Sequence, residues 1–322
     1  MGIAGSIILF TQIAALDYSP AIPQPTPYPA LQVPAHIVPV PNTVSPELQK
    51  LIAAPYDPSW KVAPTNNAQW KSLVAADAAA VIATLPQLRE TLGVKVEAMN
   101  IAGVNVFMVT PNIIPPENQN RLLVHVHGGG YVFGPGEAGT LEAIEMAGYG
   151  HFKVISVNYR MPPDFPFPAG LDDAIAVWKV AITMAKPENI GIVGSSAGGG
   201  LVLAMVLRAK QEHLPMPGAI ATGTPWADLS KTGDTYFSNQ MLDNILVSYD
   251  GALEASALLY ANGHDLKDPL ISPIYGDMHN FPPTILTTGT RDLFLSNTVR
   301  VHRKLRQCGV EAALHVYEGM SH

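Results

Sequence analysis

Residues 189–210 read NIGIVGSSAGGGLVLAMVLRAK, and no other stretch restricts the fold as tightly. Ile190, Ile192 and Val193 form a brief apolar run, after which Leu201, Val202, Ala204, Met205, Val206 and Leu207 recur at helical spacing. A buried strand must therefore pass into a helix through Gly194-Ser195-Ser196-Ala197-Gly198. Only a very tight turn does that. The positions flanking Ser196 carry no bulky side chain, which lets the serine hold a strained conformation with Oγ clear of the sheet. Two readings are open: an exposed nucleophile, or a Gly-rich bend that packs closely or cradles an anion at the helix N-terminus. A nucleotide phosphate loop does not fit, because no Lys-Ser or Lys-Thr follows the glycines.

From residue 121 onward strand and helix signals alternate, the pattern of a mostly parallel sheet covered on both faces. Strands are expected over 122–127, 154–158, 190–193, 219–224, 284–288 and 313–317, and helices over 138–148, 171–184, 197–213 and 296–307. Ahead of these, 95–110 reads as two antiparallel strands turning at Ala102-Gly103. Residues 67–92 carry an apolar stripe of Trp70, Leu73, Val74, Ala78, Val81, Ile82 and Leu85, which Pro86 is expected to interrupt. A short helix starts at Ser45-Pro46-Glu47 and runs over 48–53. Between 226 and 282 the chain is less regular, with helical spacing over 239–261.

Composition excludes several classes. Of 322 residues, 48% are apolar and 14% charged, so a large core is available and a disordered chain is ruled out. The net charge of −7, with no basic run, leaves no footprint for nucleic acid. Cys308 is the single cysteine, which excludes an intramolecular disulfide. Lacking a His or Cys partner at ligand spacing, it is read as a passive residue at a helix end, and no metal is expected.

Residues 1–16 are uncharged and contain Ile7-Ile8-Leu9-Phe10, the apolar part of a secretory signal if Ser19-Pro20-Ala21 is its cleavage site. The usual basic leader is missing, which points to a cytoplasmic protein; a signal over 1–21 would send it outward. The stretch is too short and mixed for stable membrane insertion. Prolines recurring from 20 to 46 favour an extended connector.

A second motif bears on the serine. His127-Gly128-Gly129-Gly130-Tyr131 follows directly on the strand RLLVHVH, and three glycines let backbone N–H groups turn inward unobstructed. Such donors suit a tetrahedral oxyanion, with a further N–H from Ala197, the residue after the serine. His127 is read as fixing the loop by hydrogen bonding, and His125 as a packed polar residue. Serine is a weak nucleophile at neutral pH and needs a base, which in turn needs an orienting carboxylate. Asp292 follows the apolar strand from 284 and His322 follows ALHVYEG, so both would project from the carboxyl end of the sheet, where ligands bind. Rival carboxylates have ordinary roles: Asp172 and Asp173 at a helix start, Asp228 and Asp268 in loops. The other downstream histidines, His213, His264, His279, His302 and His315, do not end a strand at that edge.

With HGGGY, NYRMPPDFPFPAGLDD (158–173), GSSAGGG, DPLISP (268–273), GTRD and GMSH in order, the chain from about residue 95 resembles a bacterial member of the hormone-sensitive lipase family of α/β-hydrolase esterases. The resemblance implies a mostly parallel central sheet flanked by helices, with a helical cap. The chain is accordingly divided into a Pro-rich N-terminal arm over 1–45, a signal or disordered segment by its composition, followed by what the resemblance implies: N-terminal cap helices over 46–93 and a catalytic domain over 94–322 with a cap insertion at about 227–270. Short-chain carboxylic esters are the implied substrates, hydrolysed without a cofactor. Ser196 would be the nucleophile, His322 the base and then acid, and Asp292 its orienting partner. Gly129, Gly130 and Ala197 would supply the oxyanion N–H groups, with Gly128 shaping the loop.

An amidase, lactonase or deacetylase on the same fold, and a non-enzymatic small-molecule receptor, are the rival readings, and a homodimer is left open. Ser195 departs from the Asp or Thr common in the family, and Tyr131, in place of Phe or Trp, is expected to alter the acyl-side wall. Relatives continue beyond the position of His322, so the native chain is expected to extend further.

Overall fold

Strands with both faces covered read as near-continuous apolar runs, and such runs pair here into one eight-stranded sheet. The computed structural model describes residues 30–56 and 58–322. The signal reading of residues 1–21 and the start of the Pro-rich arm lie outside them. The strands are β1 (Val94–Ile101), β2 (Val104–Pro111), β3 (Leu122–Val126), β4 (Lys153–Val157), β5 (Ile190–Ser195), β6 (Ala219–Gly223), β7 (Thr284–Gly289) and β8 (Ala312–Tyr317). Their spatial order is β1-β2-β4-β3-β5-β6-β7-β8. β1 and β2 form the expected hairpin, β2 meets β4 antiparallel, and all remaining pairs are parallel. Because β3 lies between β4 and β5, the connections leaving β3 and β5 diverge at their carboxyl ends and open a crevice there.

Helices α3 (Leu141–Gly150), α4 (Ala169–Met184), α5 (Ala197–Gln211) and α8 (Leu295–Gln307) follow β3, β4, β5 and β7. α5 is buried along nearly its whole length, from Ala197 to Leu207, because it crosses the middle of the sheet. Around it pack Trp178, Trp226, Leu171 and Ile192, each nearly or wholly buried. Large apolar side chains of this kind contribute roughly 1.5 to 3 kcal/mol apiece on burial, so the elbow preceding α5 is anchored by the best-packed part of the molecule.

α1 (Pro46–Ile52) starts as expected, with the Ser45 hydroxyl accepting from the Leu48 N–H at 3.2 Å. α2 spans Asn67–Leu92 and ends at Gly93 in the left-handed region (φ 61°). It differs from the sequence reading in running through Pro86. Pro86 and Ile82 lie on the exposed side of α2, so the Ile82 carbonyl that Pro86 leaves without a partner is open to water.

The helical spacing of 239–261 is also only half realised. Residues 235–238 form one turn, α6 (Thr235–Ser238), and only Ala252–Ala261 is regular (α7). Between them the buried Asp243 carboxylate accepts the N–H groups of Ile245, Leu246 and Leu293, which closes a turn where a helix would have continued. Among the described residues, no helix is long and apolar enough to cross a membrane.

Candidate active site

Ser196 sits at the join of β5 and α5 with φ 55° and ψ −125°. A side chain held at such angles costs about 1–3 kcal/mol and persists only where its surroundings over-determine it. Here they do. The Ser196 N–H donates to the Gly223 carbonyl at 2.8 Å, and its carbonyl accepts from the Trp226 N–H at 2.8 Å. Gly198 passes so close under the Val126 and His127 carbonyls that a Cβ would collide with backbone. The Ser196 hydroxyl itself takes no hydrogen bond among the described residues.

His322 reaches the same place from the end of β8. Gly319 N–H donates to Thr290 Oγ1 at 2.9 Å, Arg291 N–H to the Met320 carbonyl at 3.0 Å, and Ser321 Oγ to Asn244 Oδ1 at 2.7 Å, which together fix the segment carrying the ring. His322 Nδ1 donates to Asp292 Oδ1 at 3.1 Å, leaving Nε2 as the bare nitrogen, 3.5 Å from Thr224 Oγ1. Asp292 is fully buried; it also accepts from the Phe294 N–H (2.8 Å) and Thr288 Oγ1 (2.6 Å), so its orientation is determined on both oxygens. Burial works against a charged His322 ring. The charge and hydrogen bond of Asp292, joined by the charges of Asp243 and Glu142, outweigh it, and the pKa is raised above the ordinary imidazole value.

The glycine loop lies beside the elbow. Gly129 (φ 103°) and Gly130 (φ 59°) occupy the left-handed region, and a Cβ on Gly128 would stand 3.0 Å from the Ser195 carbonyl and 3.2 Å from Ser196 Cβ. Among the described residues, no acceptor meets the N–H groups of Gly129, Gly130 or Ala197. His127 has the loop-fixing part read from sequence: Nδ1 donates to the Gly128 carbonyl at 2.8 Å and the ring stacks on Tyr159 at 4.3 Å. Burial pushes its pKa down to about 4, so it is neutral. Tyr131 departs from expectation. Its ring is buried, stacked on Tyr260 at 3.9 Å within the core, and it is not part of the cavity wall.

Ser196, His322 and Gly128 to Gly130 all face one cavity of about 570 Å³. Its roof comes from Asp77 and Val81 of α2 and from Trp60, Ile245, Leu246, Leu253 and Ser256, with the Trp60 carbonyl lying against Gly251 at the start of α7. Asp292 lies behind His322, and Ala197 is buried at the start of α5.

Three features escaped sequence reasoning. Ser195 donates to Glu142 at the start of α3, and Glu142 Oε2 accepts from His125 Nε2 at 3.2 Å, with His125 Nδ1 3.0 Å from Ser156 Oγ. The unusual residue before Ser196 was the signal. Asp243 was missed because its turn interrupts a helical pattern. Asp277, His279 and Cys308 bring ligand atoms within 4.8 Å of one another, although spacing gave Cys308 no partner. The Lys210 ammonium already sits 3.1 Å from the Asp277 carboxylate, and none of these residues borders the cavity. The remaining carboxylates keep structural roles: Asp173 clasps Arg160 through both oxygens, and the buried Asp228 binds Arg300 at 2.7 Å.

A family model described as the alpha/beta hydrolase fold matches residues 123–322. A crystal structure of an esterase called E25 superposes with a TM-score of 0.88 at 43% identity, covering 91% of this chain and 91% of that one. An esterase from the bacterial hormone-sensitive lipase family superposes with a TM-score of 0.73 at 25% identity, over 87% of this chain and 90% of that one. The chain belongs to the hormone-sensitive lipase family of α/β-hydrolase esterases. A further family relative, an esterase of Acinetobacter venetianus, is 30% identical over 230 residues, 70% of this chain and 74% of that protein.

Proposed function

We propose that this chain is a carboxylic ester hydrolase for short-chain acyl esters, working through Ser196, His322 and Asp292 and an acyl-enzyme intermediate. The observation that carries the reading is the convergence on one cavity of a strained serine with an unpartnered hydroxyl, an imidazole oriented by a buried carboxylate, and amide groups without acceptors. In the first half-reaction Ser196 Oγ attacks the ester carbonyl as His322 Nε2 takes its proton. Nε2 is the nitrogen left free because Nδ1–H is held by Asp292. The Gly129, Gly130 and Ala197 N–H groups receive the oxyanion, and one such donor is worth about 2.7–4 kcal/mol in the transition state. The intermediate collapses, His322 returns the proton to the leaving alcohol, and water repeats the sequence on the acyl-enzyme to release the carboxylate.

The raised His322 pKa strengthens the base and favours the charged ring that forms at each step. No hydrogen bond joins Ser196 Oγ to Nε2 among the described residues, and such contacts commonly tighten only when substrate is bound. Residues 46–93 and the insertion 227–270 are read as a cap over this site, which accords with their share of the cavity roof.

A panel of p-nitrophenyl esters, anilides and lactones tests the reading. Turnover is expected for acetate and butyrate esters, with little on amides or lactones, and Ser196→Ala is expected to abolish it with the circular dichroism melt intact. A Ser196→Ala protein that keeps most of its activity would overturn the assignment.

A further inference from the structure

The cavity is apolar over most of its wall, and its lining contains two carboxylates, Asp77 and Glu142, but neither lysine nor arginine. The two acids differ. Glu142 is engaged by Ser195 and His125. Asp77, in the middle of α2, takes part in no hydrogen bond or ion pair among the described residues, although the cavity wall half-buries it. A partly buried carboxylate that faces a cavity without a counter-ion is open to a cationic ligand. Burial raises the Asp77 pKa, as expected for a carboxylate that lacks a cation.

The placement of Asp77 says which part of a substrate it would meet. Val81, one turn further along α2, packs with Leu141 in the apolar cluster between α2 and α3, so Asp77 lies at the α2/α3 end of the cavity. Trp70, seven residues earlier on the same helix, packs against Phe133, whose ring lines the cavity. His322 lines the same cavity, its segment tied through Ser321 to Asn244 beside the lining residues Ile245 and Leu246. The leaving alcohol must receive its proton from His322 and so lies beside that ring. An acyl chain directed away from the ring toward α2 would bring its far end to Asp77.

We propose that Asp77 is a specificity residue that binds a cationic ammonium group at the far end of the acyl chain, making this site selective for cationic acyl esters over neutral ones of the same shape. The inference rests on the esterase reading above. An ammonium beside Asp77 gains a counter-ion in a mostly apolar wall. It meets no lysine or arginine among the lining residues. An anionic acyl chain would meet repulsion from Asp77.

The test compares two isosteric substrates, the p-nitrophenyl esters of 4-(trimethylammonio)butyrate and 5,5-dimethylhexanoate, which differ only in N⁺ for C. Each kcat/KM is divided by the ester's own hydroxide-catalysed rate. The ratio of these quotients is independent of the fraction of protein folded, so a destabilised variant remains informative. The wild type is expected to favour the cationic ester roughly tenfold, Asp77→Asn to bring the ratio near one, and the exposed control Glu97→Gln to keep it. A wild-type ratio at or below one, or a preference that survives Asp77→Asn, overturns the inference while leaving the esterase reading in place. Failure to hydrolyse either ester or p-nitrophenyl acetate overturns the esterase reading and this inference with it.

Discussion

Ser195 and Ser196 are neighbours on one turn, and each has a histidine and a carboxylate drawn from distant segments. In the first set Ser195 donates to Glu142, Glu142 accepts from His125, and His125 contacts Ser156, so its polar groups are engaged by one another across the central strands β3, β4 and β5. In the second, His322 is held by Asp292 while the Ser196 hydroxyl takes no hydrogen bond among the described residues and faces the cavity. Residue types do not separate the two. Geometry does: both serines border the cavity, but the Ser195 hydroxyl is taken up by Glu142, whereas Ser196, left-handed at φ 55°, keeps its hydroxyl unpartnered among the described residues. A fully satisfied polar set in a low-dielectric interior rigidifies its surroundings. A set with one valence open is available for chemistry.

The largest effect that sharpens this contrast is the pair of alanine substitutions. Ser196→Ala is expected to lower kcat roughly 10⁶-fold, the scale for losing an activated nucleophile, and Ser195→Ala only about tenfold, by loosening the elbow. Equal losses in two well-folded variants would break the distinction between the two sets.

Next comes Asp292→Asn. It is expected to reduce kcat by about 10⁴-fold through loss of the correct imidazole tautomer. It also has a pH signature. His322 acts as a base only when neutral, so activity falls as pH drops through its raised pKa; removing the Asp292 charge lowers that pKa and moves the acid limb of kcat/KM to lower pH. An acid limb that stays in place would mean that another group titrates there.

The smallest effect belongs to Glu142→Gln, which keeps the shape of the closed set and removes its charge. Burial opposes ionisation of Glu142, but the hydrogen bond and charge of His125 and the Ser195 hydroxyl outweigh it, and its pKa is lowered. A carboxylate whose pKa is lowered on folding stabilises the native state above the ordinary glutamate range, and that contribution is lost as pH falls through the lowered value. The variant is therefore expected to lose about 1–3 kcal/mol in urea denaturation at neutral pH, a gap that narrows in acid. A small shift of the His322 acid limb to lower pH should accompany it, since Glu142 helps to raise that pKa. A gap unchanged by acid would remove Glu142 from the ionised network.

Much of this frame was readable from residue order. The apolar runs and the helical spacing placed six strands and four helices to within a few residues, because strands and helices of a doubly covered sheet carry dense, unambiguous patterns. The approach of Ser196, His322 and Gly128 to Gly130 to one cavity followed from strand ends sharing one edge of the sheet. The unread parts depend on contacts that spacing does not encode. Pro86 is tolerated because its side of α2 faces water. Residues 239–251 are unwound by Asp243, whose partners include Leu293, fifty residues away. Tyr131 turned inward onto Tyr260, a partner in the insertion. Ser195 was recognised as unusual, yet Glu142 was invisible as its partner because the pairing joins α3 to β5 across fifty-three positions.

The central claim, that Ser196 and not Ser195 is the reactive hydroxyl, is tested most directly by labelling with an organophosphate and mapping the adduct by peptide mass. One adduct on Ser196 is expected, absent from Ser196→Ala and retained in Ser195→Ala. An adduct on Ser195, or an unlabelled protein, would contradict the account.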